Sequence, residues 1–595
     1  MTVSTLYGNN QLIRKTVARM FPACFAAVMA ASITLMMDSL LAGSLIGSLA
    51  IAAVAVGDPI VSVGRSLTQT ISSGALVKMT VNVGRNDREA INRAYSLGFW
   101  GTVALGAILV AAANLFAGVL VLLFGAAGNA ELAAQAGIYL HACSVHILFS
   151  CMNIFLGKVL SLFGYQSLVF LIALMNIGVN LTTSIIFVRM LPEGYAIAGL
   201  GIGSCIAAAS CSALAFLVIK LKKLPVKLKL YAFGPGELME ALKLGFPTAG
   251  NNIADGMVSG VVNNIIVRGF SGNPMALAVY TAVKSVFNFT QAATIGAAMA
   301  TGPLFGILYG ARDKSALRRT LREGYKIGLV FAVVWCGVLM GLLPVLQKIY
   351  GMSGNTDVRT GVMVCFLFIP FFLAIRVMAQ VFESTEKAGM GILYSILPDT
   401  VLYPLMLMVL MPRLGYMGIW LSFGGNGLLF LVLLFVVRSI KERSFRPSVD
   451  RMLCLDESIR SNVPMLDISI RANSFDVANL SEQIHAFLEQ EKVSERTAYL
   501  AALCLEELAA DFVAHSEEEH SKGSDQEVMD IKLFSDEGFL RLIIRNAAKG
   551  YNPLDFRPDD ENVAKIGVKM VQKNARRIEY SYVYKINIVT IDLDK

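Results

Sequence analysis

The chain reads as a series of long apolar runs that gives way, near residue 440, to shorter alternating and amphipathic patterns. A helix needs about 20 predominantly apolar residues to cross a bilayer. Runs of that length lie near 20–43, 50–78, 95–124, 135–160, 165–188, 194–219, 243–268, 277–306, 325–347, 361–382, 390–411 and 415–437. They predict an all-α polytopic membrane domain of about twelve helices. Phe21-Pro22 and Phe246-Pro247 are expected to open the first and seventh runs. Beyond the runs the texture changes. "MLDISIRA" alternates as a strand, and "NLSEQIHAFLEQE" and "SERTAYLAALCLEELAADFVAHS" are amphipathic helices with serine caps in "NLSEQ" and "VSERT". "EVMDIKLFSDEGFLRLIIRNA" reads as a hairpin turning at Asp536-Glu537-Gly538, and a helix and two strands follow. This order predicts a small α/β two-layer sandwich. The expected domains are two six-helix lobes at 1–230 and 231–440, a charged linker at 441–463 and the α/β domain at 464–595.

Charge orients the runs. Arg85, Arg88 and Arg93, then Lys220, Lys222, Lys223, Lys227 and Lys229, then Arg312, Lys314, Arg318, Arg319 and Arg322 fall in alternate gaps. Arg438, Lys441, Arg443 and Arg446 follow the last run. The opposite gaps are short and nearly free of positive charge, so both termini are expected in the cytoplasm, with the chain in a bacterial plasma (inner) membrane. No cleavable signal is read at the N-terminus.

Composition agrees. Apolar and aromatic residues make up 55% of the chain and charged residues 16%, well under the roughly 25% of soluble proteins. The net charge of +8 comes from basic residues beside spans, which argues for topology and against nucleic acid. The nine cysteines form no C-x-x-C pair and no Cys/His cluster, so neither a metal nor a disulfide is expected.

The two lobes repeat each other. "VGRNDREA" recurs as "YGARDKSA", aligning Gly84 with Gly310 and Asp87 with Asp313, and "IAGLGIGSCI" is echoed by "LGYMGIWLSF". Two copies that start on the same side form a parallel repeat, an arrangement that in transporters puts the binding site near the midplane at the repeat interface.

These segments resemble the multidrug and toxic compound extrusion (MATE) family. "FPACFAAVMAASITLMMDSLLAG" with "IAAVAVGDPI" resembles its first two helices, through Pro22, Asp38 and Gly43. "MNIGVNLTTSIIF" with "AIAGLGIG" resembles its fifth and sixth, through Asn176 and Asn180. The resemblance spans residues 15–437 and implies an antiporter, not an enzyme. It would export an organic, amphipathic or cationic solute against entry of H⁺ or Na⁺. It also implies cation or proton coupling at Asp38 and Asp255, each read from the residues alone as either a functional acid or the partner of a basic group. A carboxylate inside a span costs about 2.5–3.5 kcal/mol on insertion scales and calls for a task or a partner. Asn176, Asn180, Asn251 and Asn263 are candidate supporting amides, and Lys284, Glu383 and Asp399 further polar candidates. Desolvation suits a proton and clustered oxygens suit Na⁺, so the ion stays open. The rivals are a lipid-linked flippase on the same scaffold and a membrane sensor signalling through its soluble domain.

The α/β domain resembles the ATP-binding domain of anti-sigma-factor serine kinases through "EELAADFVAHS", "IIRNAAKGYNPLDF" and "IGVKMV". Glu507 and His515 match. Asp511 replaces the magnesium-holding Asn, Asn546 the adenine-reading Asp and Ala548 its Gly, and the glycine lid keeps only Gly567. The resemblance therefore implies a degenerate site and a regulatory module that meets a cytoplasmic protein. The other expected partners are the small organic substrate and membrane lipids, with no cofactor beyond the coupling ion.

Overall fold

The computed structural model describes residues 11–46, 48–85, 87–126, 130–270, 274–311, 313–349, 352, 354–385, 387–441, 465–471, 473–520, 528–535, 538–555 and 566–594. The apolar runs are helical. They form α1 (Gln11–Leu45), α2 (Ser48–Arg85), α3 (Arg88–Leu115), α4 (Ala117–Val121), α5 (Ala130–Cys143), α6 (His146–Leu162), α7 (Gln166–Met190) and α8 (Ala198–Leu221). The second copy gives α9 (Pro235–Gly269), α10 (Pro274–Gly310), α11 (Lys314–Ile349), α12 (Thr356–Leu367), α13 (Ile369–Glu383), α14 (Ala388–Leu397), α15 (Tyr403–Leu414) and α16 (Tyr416–Lys441). Among the described residues seven helices are long and apolar enough to cross a membrane. The number is nine if the bent pairs α5–α6 and α12–α13, broken by 42° and 49°, each count as one span. The exposed side chains of α11 include Val330, Phe331, Val333 and Val334, a stripe suited to lipid.

Two features differ from the sequence reading. Pro22 and Pro247 lie inside α1 and α9 and open neither, because basic and acidic residues extend both helices toward the N-terminal side. Neighbouring helices make an internal proline tolerable in a bundle of this kind. Asp399 lies in a wider π-type turn at Pro398–Leu402 between α14 and α15.

The repeat is visible in the turns. Asp87 accepts from the amide of Ala90 and Asp313 from that of Ala316, each at 3.0 Å, so each caps the helix that follows. Beside them α2 and α10 cross at Gly84 and Gly310. A Cβ on Gly84 would collide with the Ile307 carbonyl, and one on Gly310 with that of Val81. The two halves therefore close together on this face at backbone contact.

The C-terminal domain is a five-stranded antiparallel sheet with helices on one face. Its strands are β1 (Met465–Arg471), β2 (Val528–Ser535), β3 (Phe539–Asn546), β4 (Arg577–Val583) and β5 (Ile586–Asp594), in the order β1-β2-β3-β5-β4. Its helices are α17 (Ser474–Ala478), α18 (Leu480–Gln490), α19 (Glu495–His520) and α20 (Ile566–Asn574). Ser494 caps α19, as expected. The "NLSEQ" cap is not formed by serine. Asn473 caps α17, and Ser481 falls inside α18. Alternate strand residues such as Ile468, Ile531, Leu542 and Ile591 pack on the helices. On the other face Lys532 and Arg545 are buried against the helical bundle, with Asp467 partly buried beside them.

Candidate functional site: a cavity between the repeats

A cavity of about 620 Å³ lies among α2, α6, α9, α10 and α13. Hydroxyl and amide groups such as Gln69, Ser73 and Gln291 line it, together with five charged side chains. Lys158 comes from α6, Lys284 from α10, and Arg376 and Glu383 from α13; Asp399 enters from the π-type turn. Lys158 Nζ donates to Ser73 Oγ at 3.3 Å. Ser395 Oγ donates to Glu383 at 2.7 Å, and Asn426 Nδ2 to Asp399 at 2.9 Å. Arg376 stands 3.6 Å from Asp399. Each carboxylate thus has a hydrogen-bond donor, as buried charge requires. The walls carry both signs and come from both copies of the repeat.

The structure brings Lys284, Glu383 and Asp399 into this cavity. Lys158 also belongs there and was missed, because it falls two residues before the expected end of its run, where a lysine reads as reaching for the interface. The helix in fact runs on to Leu162. Asn180 sits elsewhere. It is buried, and its Oδ1 accepts from Ser184 at 2.9 Å and from Ser204 at 3.4 Å, tying α7 to α8. Asn176 is half-buried on α7. The backbones of Asp38, Asn251, Asp255 and Asn263 are helical, while their side chains lie outside the described residues.

In the C-terminal domain Asp511 and Asn546 are each hydrogen-bonded to another side chain of the domain. Tyr551 donates to Asp511 at 2.9 Å, and its ring stacks on His515 with centroids 3.9 Å apart. Asn546 Oδ1 accepts from Asn587 Nδ2 at 2.7 Å. Glu507 is half-buried on α19, and Gly567 lies in the first turn of α20. Residues 556–565, before α20, lie outside the described residues.

A third cluster joins the domain to the bundle. Asp313, 0% exposed, receives Lys532 Nζ at 2.8 Å and Arg545 Nη1 at 2.6 Å. Beside it Asp467 meets Arg319 and accepts from Ser315 at 3.2 Å. Burial alone would raise the Asp313 carboxyl. Lys532, Arg545 and the Ala316 amide outweigh it and hold the group well below the usual carboxylate range. The sign follows. A depressed carboxyl contributes stability above its unfolded pKa of about 3.9 and loses it only as pH falls through its own lower value. Burial pushes Asp530 the other way, so acid removes its penalty. Protection of the β2 and β3 amides in the full chain, taken relative to their intrinsic exchange rates at each pH, should therefore be as high at about pH 5 as at neutrality. Lower protection at about pH 5 would contradict the assignment.

The MatE family model matches residues 22–186 and 248–402, together more than half of the chain. The chain belongs to the MatE family. The two matched segments are the two halves whose helices enclose the cavity. No curated protein matches this MatE chain. Its fold is similar to an outward-facing multidrug resistance MATE transporter of the MOP superfamily, with TM-score 0.65 and 16% identity over 76% of this chain and 100% of that one. It is also similar to a mutant of the Vibrio cholerae MATE transporter VcmN, with TM-score 0.63 and 17% identity over 73% and 98%. A MOP superfamily transporter from Pyrococcus furiosus, described as having a binding pocket of reverse polarity, gives TM-score 0.63 and 16% identity over 75% and 100%. At these identities the likeness is one of fold.

Proposed function

We propose that this MatE chain is a secondary active antiporter of about twelve spans in a bacterial inner membrane, both termini cytoplasmic. It exports an organic, amphipathic or cationic solute against entry of H⁺ or Na⁺. The observation that carries the reading is the mixed-charge cavity enclosed by the two matched repeats. A parallel repeat around a central site is the arrangement that rocking between two access states requires. Asp38 and Asp255 are the coupling acids of this reading, and Lys158, Lys284, Glu383 and Asp399 orient the solute. The test is flux of a panel of cationic, zwitterionic and anionic amphipathic fluorophores in proteoliposomes under imposed pH or Na⁺ gradients. Net flux of at least one supports the reading. Binding without flux favours a sensor, and movement of lipid alone a flippase.

The C-terminal domain is regulatory in this reading and does not turn over ATP. Its would-be magnesium and adenine positions, Asp511 and Asn546, hold partners inside the domain. Calorimetry of the full chain with Mg-ATP should show no binding tighter than about 100 μM, or about −5.5 kcal/mol. Phosphate release that disappears in Glu507→Gln would make the domain an enzyme.

A further inference from the structure

The hairpin joining β4 to β5 reaches into the helical bundle. Its two turn residues, Tyr584 and Lys585, have φ of 54° and 57°. Such a turn favours Asn-Gly, because bulky residues are strained at positive φ. What holds Tyr584 there is contact with both repeats. Its amide donates to the Leu162 carbonyl at 2.9 Å, meeting an acceptor that the end of α6 leaves open. Its hydroxyl donates to the Ala300 carbonyl of α10 at 2.6 Å. The ring is 1% exposed and shares a core with Phe21 and Cys24 of α1. Gly164, in the turn after α6, leaves room for the tip. A Cβ there would lie 2.7 Å from Lys585 Cγ.

Two further contacts fall on the same seam. Gly84 and Arg85 of one repeat and Ala311 of the other share a crevice with Arg541, Ile543 and Thr590 of the sheet, so the sheet lies across the α2–α10 crossing. The repeat itself supplies a control. Asp87 and Asp313 do the same capping work, yet Asp87 is exposed and Asp313 is sealed under Lys532 and Arg545. The burial of Asp313 thus comes from the domain and not from capping. Leu162, beside the hairpin tip, also lines the cavity.

We propose that the C-terminal domain is a clamp on alternating access: it bridges the two repeats across their closed face, with Tyr584 as the pin, and the cavity opens to that face only when the hairpin withdraws. The proposal rests on the transport reading for its purpose, not for its geometry. Rocking of one repeat against the other must separate α6 from α10 or slide them. A residue bonded to both resists that movement, and a docked domain shifts the population toward the closed state.

The test has two arms on the full chain. Thr80 is buried on α2 against Gly306 of α10 and lines the cavity. In Thr80→Cys, labelling by a membrane-impermeant maleimide from the docked face should be slow, and adding Tyr584→Ala should speed it about tenfold. Unchanged labelling with the tyrosine removed overturns the clamp. The second arm joins Ser315→Cys to Asp467→Cys by oxidation. Flux should fall about tenfold and return on reduction. Full flux with the domain covalently held also overturns the clamp. A chain that moves no solute under any gradient fails the transport reading alone, because the labelling arm needs no flux.

Discussion

Asp255→Asn should reduce gradient-driven flux at least about 100-fold, the equivalent of some 2.7 kcal/mol or more, while the protein still folds and inserts. Asp255 stands twenty residues into α9, roughly 30 Å from its start at 1.5 Å per residue, in a helix of 35 residues. A carboxyl that deep costs about 2.5–3.5 kcal/mol to insert. Asparagine keeps its shape and hydrogen-bonding capacity but neither takes up a proton nor brings a charge to Na⁺. Coupling is therefore lost outright, and the insertion cost falls. The measurement is flux of the best fluorophore in proteoliposomes, paired with thermal unfolding of the same preparation. A mutant as stable as wild type and without flux is the expected result. Wild-type flux would remove Asp255 from the mechanism.

The second large effect is structural. Asp313→Ala should weaken docking of the C-terminal domain by about 3–5 kcal/mol, because removing one partner of a buried ion pair strands the others. Two cations are stranded here. Lys532 and Arg545 are 1% and 6% exposed and both lean on this carboxylate. Asp467 remains 3.4 Å from Lys532 and takes up part of the charge, which keeps the cost at the lower end for that lysine. The substitution also removes the helix cap on α11, worth about 1 kcal/mol. The control is Asp87→Ala, which removes the matching cap in an exposed position. Hydrogen exchange of β2 and β3 should accelerate strongly in the first variant and stay at the wild-type rate in the second. Equal exchange in both would show that the ion pairs contribute nothing to docking.

The apolar helices were legible because length and apolarity alone set them, and the two matching turns because they kept Gly and Asp at corresponding places. The helix-facing side of the sheet was legible for the same kind of reason, since Ile468, Ile531 and Leu542 alternate with polar residues. The charged face gave no such lead: the partner Arg319 lies in α11 and Asp313 in the turn before it, each more than a hundred residues away in the chain. Sequence spacing carries no signal for pairing across such a distance. The repeat aligned Asp87 with Asp313 and had no means to separate them. In the cavity, Lys284 and Asp399 announced themselves as charges inside apolar runs, and Glu383 as an acid at the very end of one. Lys158 did not, because an expected boundary two residues away gave it an ordinary explanation.

The most direct test of the antiport account is to collapse the driving gradient during export. Proteoliposomes holding the wild-type chain are loaded with the transported fluorophore under an imposed pH or Na⁺ gradient, and an ionophore for that ion is added in mid-course. The account predicts that net export stops as the gradient dissipates and reverses when the gradient is inverted. Export that continues at the same rate after the gradient is gone would contradict it.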